Sequence, residues 1–420
     1  MRLNIPDDVG RFLEPPHHYI STAILYNSVK VTSPLFNSVS LTGLAHSTTN
    51  RTYSPNMATP LPSEMRALQI TEFNAPYELR TIPVPQPGPH DLLVKVAVAS
   101  YCHTDGMVAA GVFKSKLPQT ASHEGSGTVV AVGDRVSSFT IGDRVMCGIP
   151  LHPCGECEDC TGPIEGRRQY CTRITGHIGV TTHGCAADYA IADARTTTKL
   201  PDSVSFLSAA PLACAGRTVY RAVRQTELDP GQWVAIVGSG GGLGHLGIQF
   251  ARAMGLKVIA IDARDEGLAL SKDYGADAVV DARREKEDVV KEVQSATGGK
   301  GADCAIVLAD HAEALAAAIT RMHGTVVQVA QPDTISIPFA EIVFRDIRIK
   351  GTLVSSPRES EEMMRCIAEH GVRVRTNPFQ GLDKVEELLS MVESGKLRGK
   401  ALLVVDPEQI EAEKRIGAKF

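Results

Sequence analysis

The sequence predicts an α/β protein in two parts, a mostly β unit and a doubly wound parallel sheet. Three observations predict it. Short β-rich runs broken by turn residues begin near Met65, strands and helical patterns alternate from 232 to 354, and a glycine-rich turn joins the first of those strands to its helix. A length of 420 residues, at roughly 150 per domain, allows two or three domains. With 43% hydrophobic residues and 22% charged, there is ample material for buried cores. The formal charge of −5 gives no basic footprint for nucleic acid or an anionic membrane. No apolar run approaches a bilayer span.

Taken in order, residues 1–60 are expected to be a disordered extension. The segment is rich in Ser and Thr, lacks a sustained period, and reads as a tail or as sequence upstream of a chain starting at Met57. No charged region leads into an apolar one, as a secretory signal requires. Asp7, Asp8 and Glu14 fall where a mitochondrial presequence avoids acids, so the cytoplasm is the expected compartment and the mitochondrion the lesser alternative. The runs Arg66–Thr71, Leu92–Ala99, Gly127–Val132 and Asp143–Met146 predict strands. Trp233–Val237, Lys257–Ile261, Ala278–Val280, Cys304–Leu308, Val326–Val329 and Ile347–Val354 predict six more. Between them run helical patterns, among them Leu243–Met254, Asp288–Ala296 and Ala312–Met322. Beyond Glu359 two amphipathic helices and a strand Ala401–Val405 are expected.

The turn Gly238-Ser-Gly240-Gly241-Gly242-Leu243-Gly244 stands where a strand feeds a helix. Glycines there let a pyrophosphate approach bare backbone, and the helix N-terminus supplies free N–H groups. A literal G-x-G-x-x-G falls on Gly242, Gly244 and Gly247; the register Gly238, Gly241, Gly244, with one extra residue, fits the strand end better. A tight structural turn would also explain the run. Asp262, 18 residues after Gly244, ends the next strand, where an acid accepts from the adenosine ribose and disfavours a 2′-phosphate. It therefore points to NAD over NADP, although Arg264 nearby weakens the preference.

Cys154-x-x-Cys157-x-x-Cys160, followed by Cys171, is dense enough for a tetrahedral zinc site, and a four-thiolate set is closed and structural. The alternative, disulfides, requires an oxidising compartment that nothing in the sequence indicates. Cys102-His103-Thr104-Asp105, His123-Glu124 and Cys214 form a looser set that spacing alone does not join.

These motifs together resemble the zinc-containing alcohol dehydrogenases of the medium-chain dehydrogenase/reductase family. The resemblance runs from about Met65 to Asp406 and rests on Tyr101-Cys-His-Thr-Asp105, His123-Glu-Gly-Ser-Gly127, the Cys154–Cys171 lobe, Ala213-Cys-Ala-Gly216, Trp233-Val-Ala-Ile-Val-Gly238 and Gly324-Thr-Val-Val. It implies a GroES-like catalytic domain over 61–214 and 355–420, a Rossmann NAD-binding domain over 215–354, and two zinc ions per chain. Cys102, His123 and Cys214 would hold the catalytic zinc, and Cys154, Cys157, Cys160 and Cys171 the structural one. Glu124 would stand behind the metal, Asp105 would orient His123, and Thr104 would hydrogen-bond the substrate oxygen. His103, the glycine turn (Gly238, Gly240, Gly241, Gly242, Leu243, Gly244), Asp262 and Lys400 would serve the cofactor. The reaction implied interconverts an alcohol and an aldehyde or ketone with NAD(H). The short interval between Cys171 and Cys214 resembles the microbial tetrameric branch, so a homotetramer is expected, or else a homodimer.

Four departures from the family pattern stand out. Met107 occupies the place of a proton-relaying histidine. Phe113 and Ala109 replace tryptophans, so the substrate pocket, including Met107 and Phe113, is expected to admit substrates bulkier than ethanol. The interval from Cys160 to Cys171 is longer than usual, and Lys400 replaces an arginine. Two alternatives remain: a reductase of a secondary-metabolite carbonyl, or a non-catalytic protein that binds zinc and NAD. The other cysteines, Cys147, Cys185, Cys304 and Cys366, are expected to be reduced and buried.

Overall fold

The computed structural model describes residues 56–57, 61–162 and 167–419. Most of the expected extension lies outside the described residues. Its end, Asn56–Met57, pairs antiparallel with Val132 and Ala131, so described strand structure begins inside the range expected to be a tail.

The first unit is built on an antiparallel sheet. Asp91–Ser100 lies at its centre, flanked by Glu124–Val132 and by Lys400–Val404, with Tyr189–Asp193 also paired to it. Nine of its ten residues are buried, as expected of a strand covered on both faces. A smaller sheet joins Glu64–Ile70 to Glu78–Pro83 and to the short strand Gln119–Thr120. That short strand leads directly into His123 and Glu124.

The second unit is a six-stranded parallel sheet. Trp233–Val237 and Ala302–Val307 form its centre. Lys257–Asp262 and Ala278–Asp281 lie to one side, and Thr320–Gln328 and Arg348–Gly351 to the other. This is a doubly wound order, with the topological switch between the two central strands. Successive residues of Trp233–Val237 enter different cores: Val234 and Ile236 face the helices leading from the first unit, while Ala235 and Val237 face Val289, Val293 and Ala316.

Differences from the sequence-based expectation have local causes. The helix expected to reach Met322 ends at Ile319, because Thr320 is extended and already pairs with Ala302. The last parallel strand stops at Gly351, short of Val354. The C-terminal region holds three helices, Pro357–His370, Val385–Glu393 and Pro407–Lys414, and an extra strand Thr376–Gln380 parallel to Lys400–Val404. The first of those helices is set by its sequence: Ser356 caps it, Glu359 closes a capping box, Pro357 starts it and Gly371 ends it at φ 66°. Cys147, Cys185 and Cys304 are buried as expected; Cys366 is only half-buried.

Candidate active site and metal centres

Cys102 caps a short helix, His103–Ala109. Asp105 in its first turn accepts the Cys102 backbone N–H at 2.8 Å through Oδ2. Its Oδ1 lies 2.7 Å from His123 Nδ1. An ionised carboxylate only accepts, so Nδ1 carries the proton and Nε2 presents a lone pair. That Nε2 is buried without a hydrogen-bond partner. Cys214 comes from a different direction. It sits in a π-type turn, Leu212–Gly216, between the helices Phe206–Pro211 and Arg217–Arg224, an insertion that the sequence pattern did not indicate. The ligand atoms of Cys102, His123, Glu124 and Cys214 all lie within 4.8 Å of one another. Two thiols, an imidazole lone pair with no other use and a carboxylate fit zinc.

Glu124 is anchored from two sides. Its Oε1 accepts the Ala215 backbone N–H at 3.1 Å, and its Oε2 is 2.7 Å from Lys400 Nζ. Burial pushes its carboxyl up to about 7 against the opposing pull of Lys400. Lys400 is buried and runs beneath the glycine turn, where a Cβ on Gly242 would stand 2.7 Å from its Cδ. Its ammonium thus meets Glu124, a partner that no sequence spacing indicates.

The second cysteine group is compact. Cys154 Sγ is 3.9 Å from Cys160 Sγ, and Cys157 Sγ is 3.7 Å from Cys171 Sγ, too far apart for disulfides and close enough to share an ion. The Glu156 backbone N–H, above all, draws the Cys154 thiol down to about 6. All ten cysteines are free. A third group, Asp91, His152 and Asp193, is already satisfied: Arg195 pairs with Asp193 at 2.6 Å and His152 Nε2 with Asp91 at 2.7 Å.

At the glycine turn, Gly238 has φ 88° and the helix starts at Gly244. A Cβ on Gly240 would lie 2.0 Å from Gly267 Cα, whereas one on Gly241 would meet only Gly238 O, at an ordinary contact distance of 3.4 Å. Asp262 ends its strand and accepts the Gly240 N–H at 2.9 Å and the Arg264 N–H at 3.0 Å, so it also braces the turn. His103 is exposed, with Nε2 3.9 Å from Asp310 Oδ2. Asp310 follows the strand Ala302–Val307, at the crevice that the strand order creates, the one signal that could have found it. Thr104 and Met107 are partly exposed on the same short helix, and Phe113 packs against the cluster of Ile70, Val108 and Val180. Among the described residues no helix is long and apolar enough to cross a membrane.

Residues 88–202 match the alcohol dehydrogenase GroES-like domain, and residues 242–369 match the zinc-binding dehydrogenase family. An alcohol dehydrogenase of Geobacillus stearothermophilus is 35% identical over 345 residues, 81% of this chain and 98% of that one. Alcohol dehydrogenase 1 of Emericella nidulans is 36% identical over 355 residues, covering 82% and 98%. The crystal structure of the alcohol dehydrogenase from the archaeon Aeropyrum pernix superposes with a TM-score of 0.73 at 31% identity, covering 81% of this chain and 99% of that chain. With the metal groups and the doubly wound sheet, these similarities make the chain a member of the zinc-binding, medium-chain alcohol dehydrogenase family.

Proposed function

We propose that the protein interconverts alcohols with aldehydes or ketones using NAD(H), at Cys102, His123 and Cys214, on substrates bulkier than ethanol. The observation that carries this is the buried, unpartnered Nε2 of His123 facing two thiols beside the cofactor turn. Zinc, when bound, supplies Lewis-acid polarisation of the substrate oxygen, and NAD supplies the hydride acceptor. The chain's own residues do the rest. Asp105 fixes the tautomer and orientation of His123. Glu124, held by Lys400 and Ala215, keeps a carboxylate behind the metal position. The Thr104 hydroxyl accepts the proton of the alcohol and passes it to water, since Met107 cannot relay it. His103, the backbone of Gly238–Gly244 and Lys400 serve the pyrophosphate, and Asp262 accepts from the ribose. The four-cysteine lobe holds a structural zinc. Domain limits of 61–214 with 355–420 and of 215–354 are supported by the positions of the two kinds of sheet, with Asn56–Met57 joining the first sheet ahead of residue 61.

Replacing two indoles by Phe113 and Ala109 supports the bulkier substrate. We also infer a homo-oligomer, a tetramer or a dimer, because among the described residues the edge strand Arg348–Gly351 pairs on one side only. The segment that leads into it carries the exposed side chains of Phe339, Val343 and Phe344. The thiol-rich sites suit a reducing compartment such as the cytoplasm.

The test is kcat/KM for ethanol against branched and benzylic alcohols, with NADH oxidation by the matching carbonyls. Cys102→Ser is expected to abolish turnover while NADH still binds, and chelation to do the same. Ethanol as the best substrate would overturn the wide-pocket reading. Zinc-loaded protein that binds NADH yet turns over no carbonyl would overturn the activity.

A further inference from the structure

A cavity of about 780 Å³ opens on the face of the first unit where the small sheet meets the loop 181–184. Its walls are largely apolar, with Met65, Ile82, Leu151 and Ile191 among them. Its volume falls within the usual range for sites that take a small organic ligand.

The charged side chains in it are of one sign, while the neutral polar ones, among them Gln69, Thr181, Thr182 and Tyr189, can donate or accept. Gln119 is 1% exposed, lines the cavity, and neither its Nε2 nor its Oε1 has a hydrogen-bond partner. Leaving a buried amide unpaired costs about 1–3 kcal/mol, so a native fold retains one where something else completes it. His183 is held by Thr120, whose backbone N–H donates to Nδ1 at 3.1 Å. Nδ1 is therefore the acceptor, and the proton of the neutral ring sits on Nε2 as a donor. Burial lowers the pKa of this histidine, which keeps it neutral. Arg80 and Lys116 line the same cavity, and neither has an ion-pair partner among the described residues. Among the described residues no aspartate or glutamate lines the cavity. Two cations, an imidazole N–H and an amide N–H against apolar walls are complementary to an anionic head on a hydrocarbon body.

We propose that this cavity is a binding site for an amphipathic monocarboxylate, separate from the metal centre. Arg80 and Lys116 take the carboxylate, with the His183 and Gln119 N–H groups as further donors, and the apolar walls take the chain. Gln119 Oε1 remains for a hydroxyl of the ligand or a water. The strand that carries Gln119 and Thr120 runs into His123, so an occupant touches the segment that delivers a metal ligand.

The test is calorimetric titration of the full-length, zinc-loaded protein, saturated with NADH, with decanoate and with decyltrimethylammonium as the probe of opposite charge. Decanoate is expected to bind saturably at one site per chain and the cation not to bind. Arg80→Glu with Lys116→Glu should weaken decanoate at least about tenfold, the loss of roughly one charge-assisted contact, while turnover without decanoate is unchanged. Ile82→Trp, which fills the cavity with an apolar side chain, should abolish binding; circular dichroism and retained turnover show that it folds. Thr104→Val, beside the metal centre, should leave binding intact. Absence of saturable binding below about 1 mM, binding indifferent to the charge reversal, or loss of binding in Thr104→Val would each overturn the proposal.

Discussion

Asp105 joins two ligand positions through one carboxylate: Oδ1 accepts a hydrogen bond from His123 Nδ1–H and Oδ2 from the Cys102 backbone N–H. Removing it frees the imidazole to rotate and to change tautomer. Asp105→Ala is therefore expected to lower zinc affinity about 10- to 100-fold. Competition with a chromophoric chelator measures this directly, and unchanged affinity would remove Asp105 from the site. At this scale the sequence was informative wherever residue type itself carries the chemistry. Cysteines and histidines in short spacings announce metal sites, and four of the ligands fall inside one lobe. The ion pair of Glu124 with Lys400 was illegible. A lysine on a strand carries no mark of its partner when the partner lies on a strand far away in sequence, and the two meet only because both strands border Asp91–Ser100.

The helices Arg217–Arg224 and Pro357–His370 are clamped by Arg221, whose Nη1 lies 2.6 Å from both carboxylate oxygens of Glu359. Burial alone would raise the Glu359 pKa. The Ser356 backbone N–H and Arg221 outweigh it, and the net shift is downward. A depressed carboxylate adds stability above its ordinary value of 4.5 that is lost as the pH falls through the folded value. Glu359→Gln is expected to cost about 2 kcal/mol at pH 7 and to flatten the loss of stability below pH 4.5. Urea unfolding at a series of pH values tests both parts; equal pH slopes in the two proteins would contradict the assignment. The capping box Ser356–Glu359 and the terminal Gly371 of this helix are motifs of a local kind but entered no expectation. The apolar strands of the parallel sheet were legible in the sequence. The helix end at Ile319 was not. The apolar period continues through Met322, and only pairing of Thr320 with Ala302 turns the chain into a strand there. Likewise the π-type turn at Cys214 has no periodic signature, because one widened turn leaves the helical pattern on either side intact.

The antiparallel and parallel sheets are held together by one core. Phe206, Leu212 and Val219 touch it from the connecting helices, Val98 and Leu402 from the antiparallel sheet, and Val234 and Ile236 from the parallel one. Arg217 is fully buried at this joint, donating to Ser355 O at 2.9 Å and to Thr196 O at 3.4 Å. The outer edge of the parallel sheet is where self-association is expected. Phe344→Glu should shift the protein toward smaller assemblies while leaving the monomer folded, and light scattering coupled to gel filtration reads the change; an unaltered mass would place the interface elsewhere. The two-part architecture was legible because the hydrophobic period changes along the chain. How the parts interlock was not, since it depends on contacts between segments far apart in sequence. Lys400 has a consequence at this scale. Its stem lies under Gly242 and its ammonium rests on Glu124, so anything that moves the side chain at one end is felt at the other. Binding free energies around a cycle must close. With Lys400 in the cofactor role proposed for it, whatever factor metal loading applies to the dissociation constant of the dinucleotide, the dinucleotide applies to that of the metal.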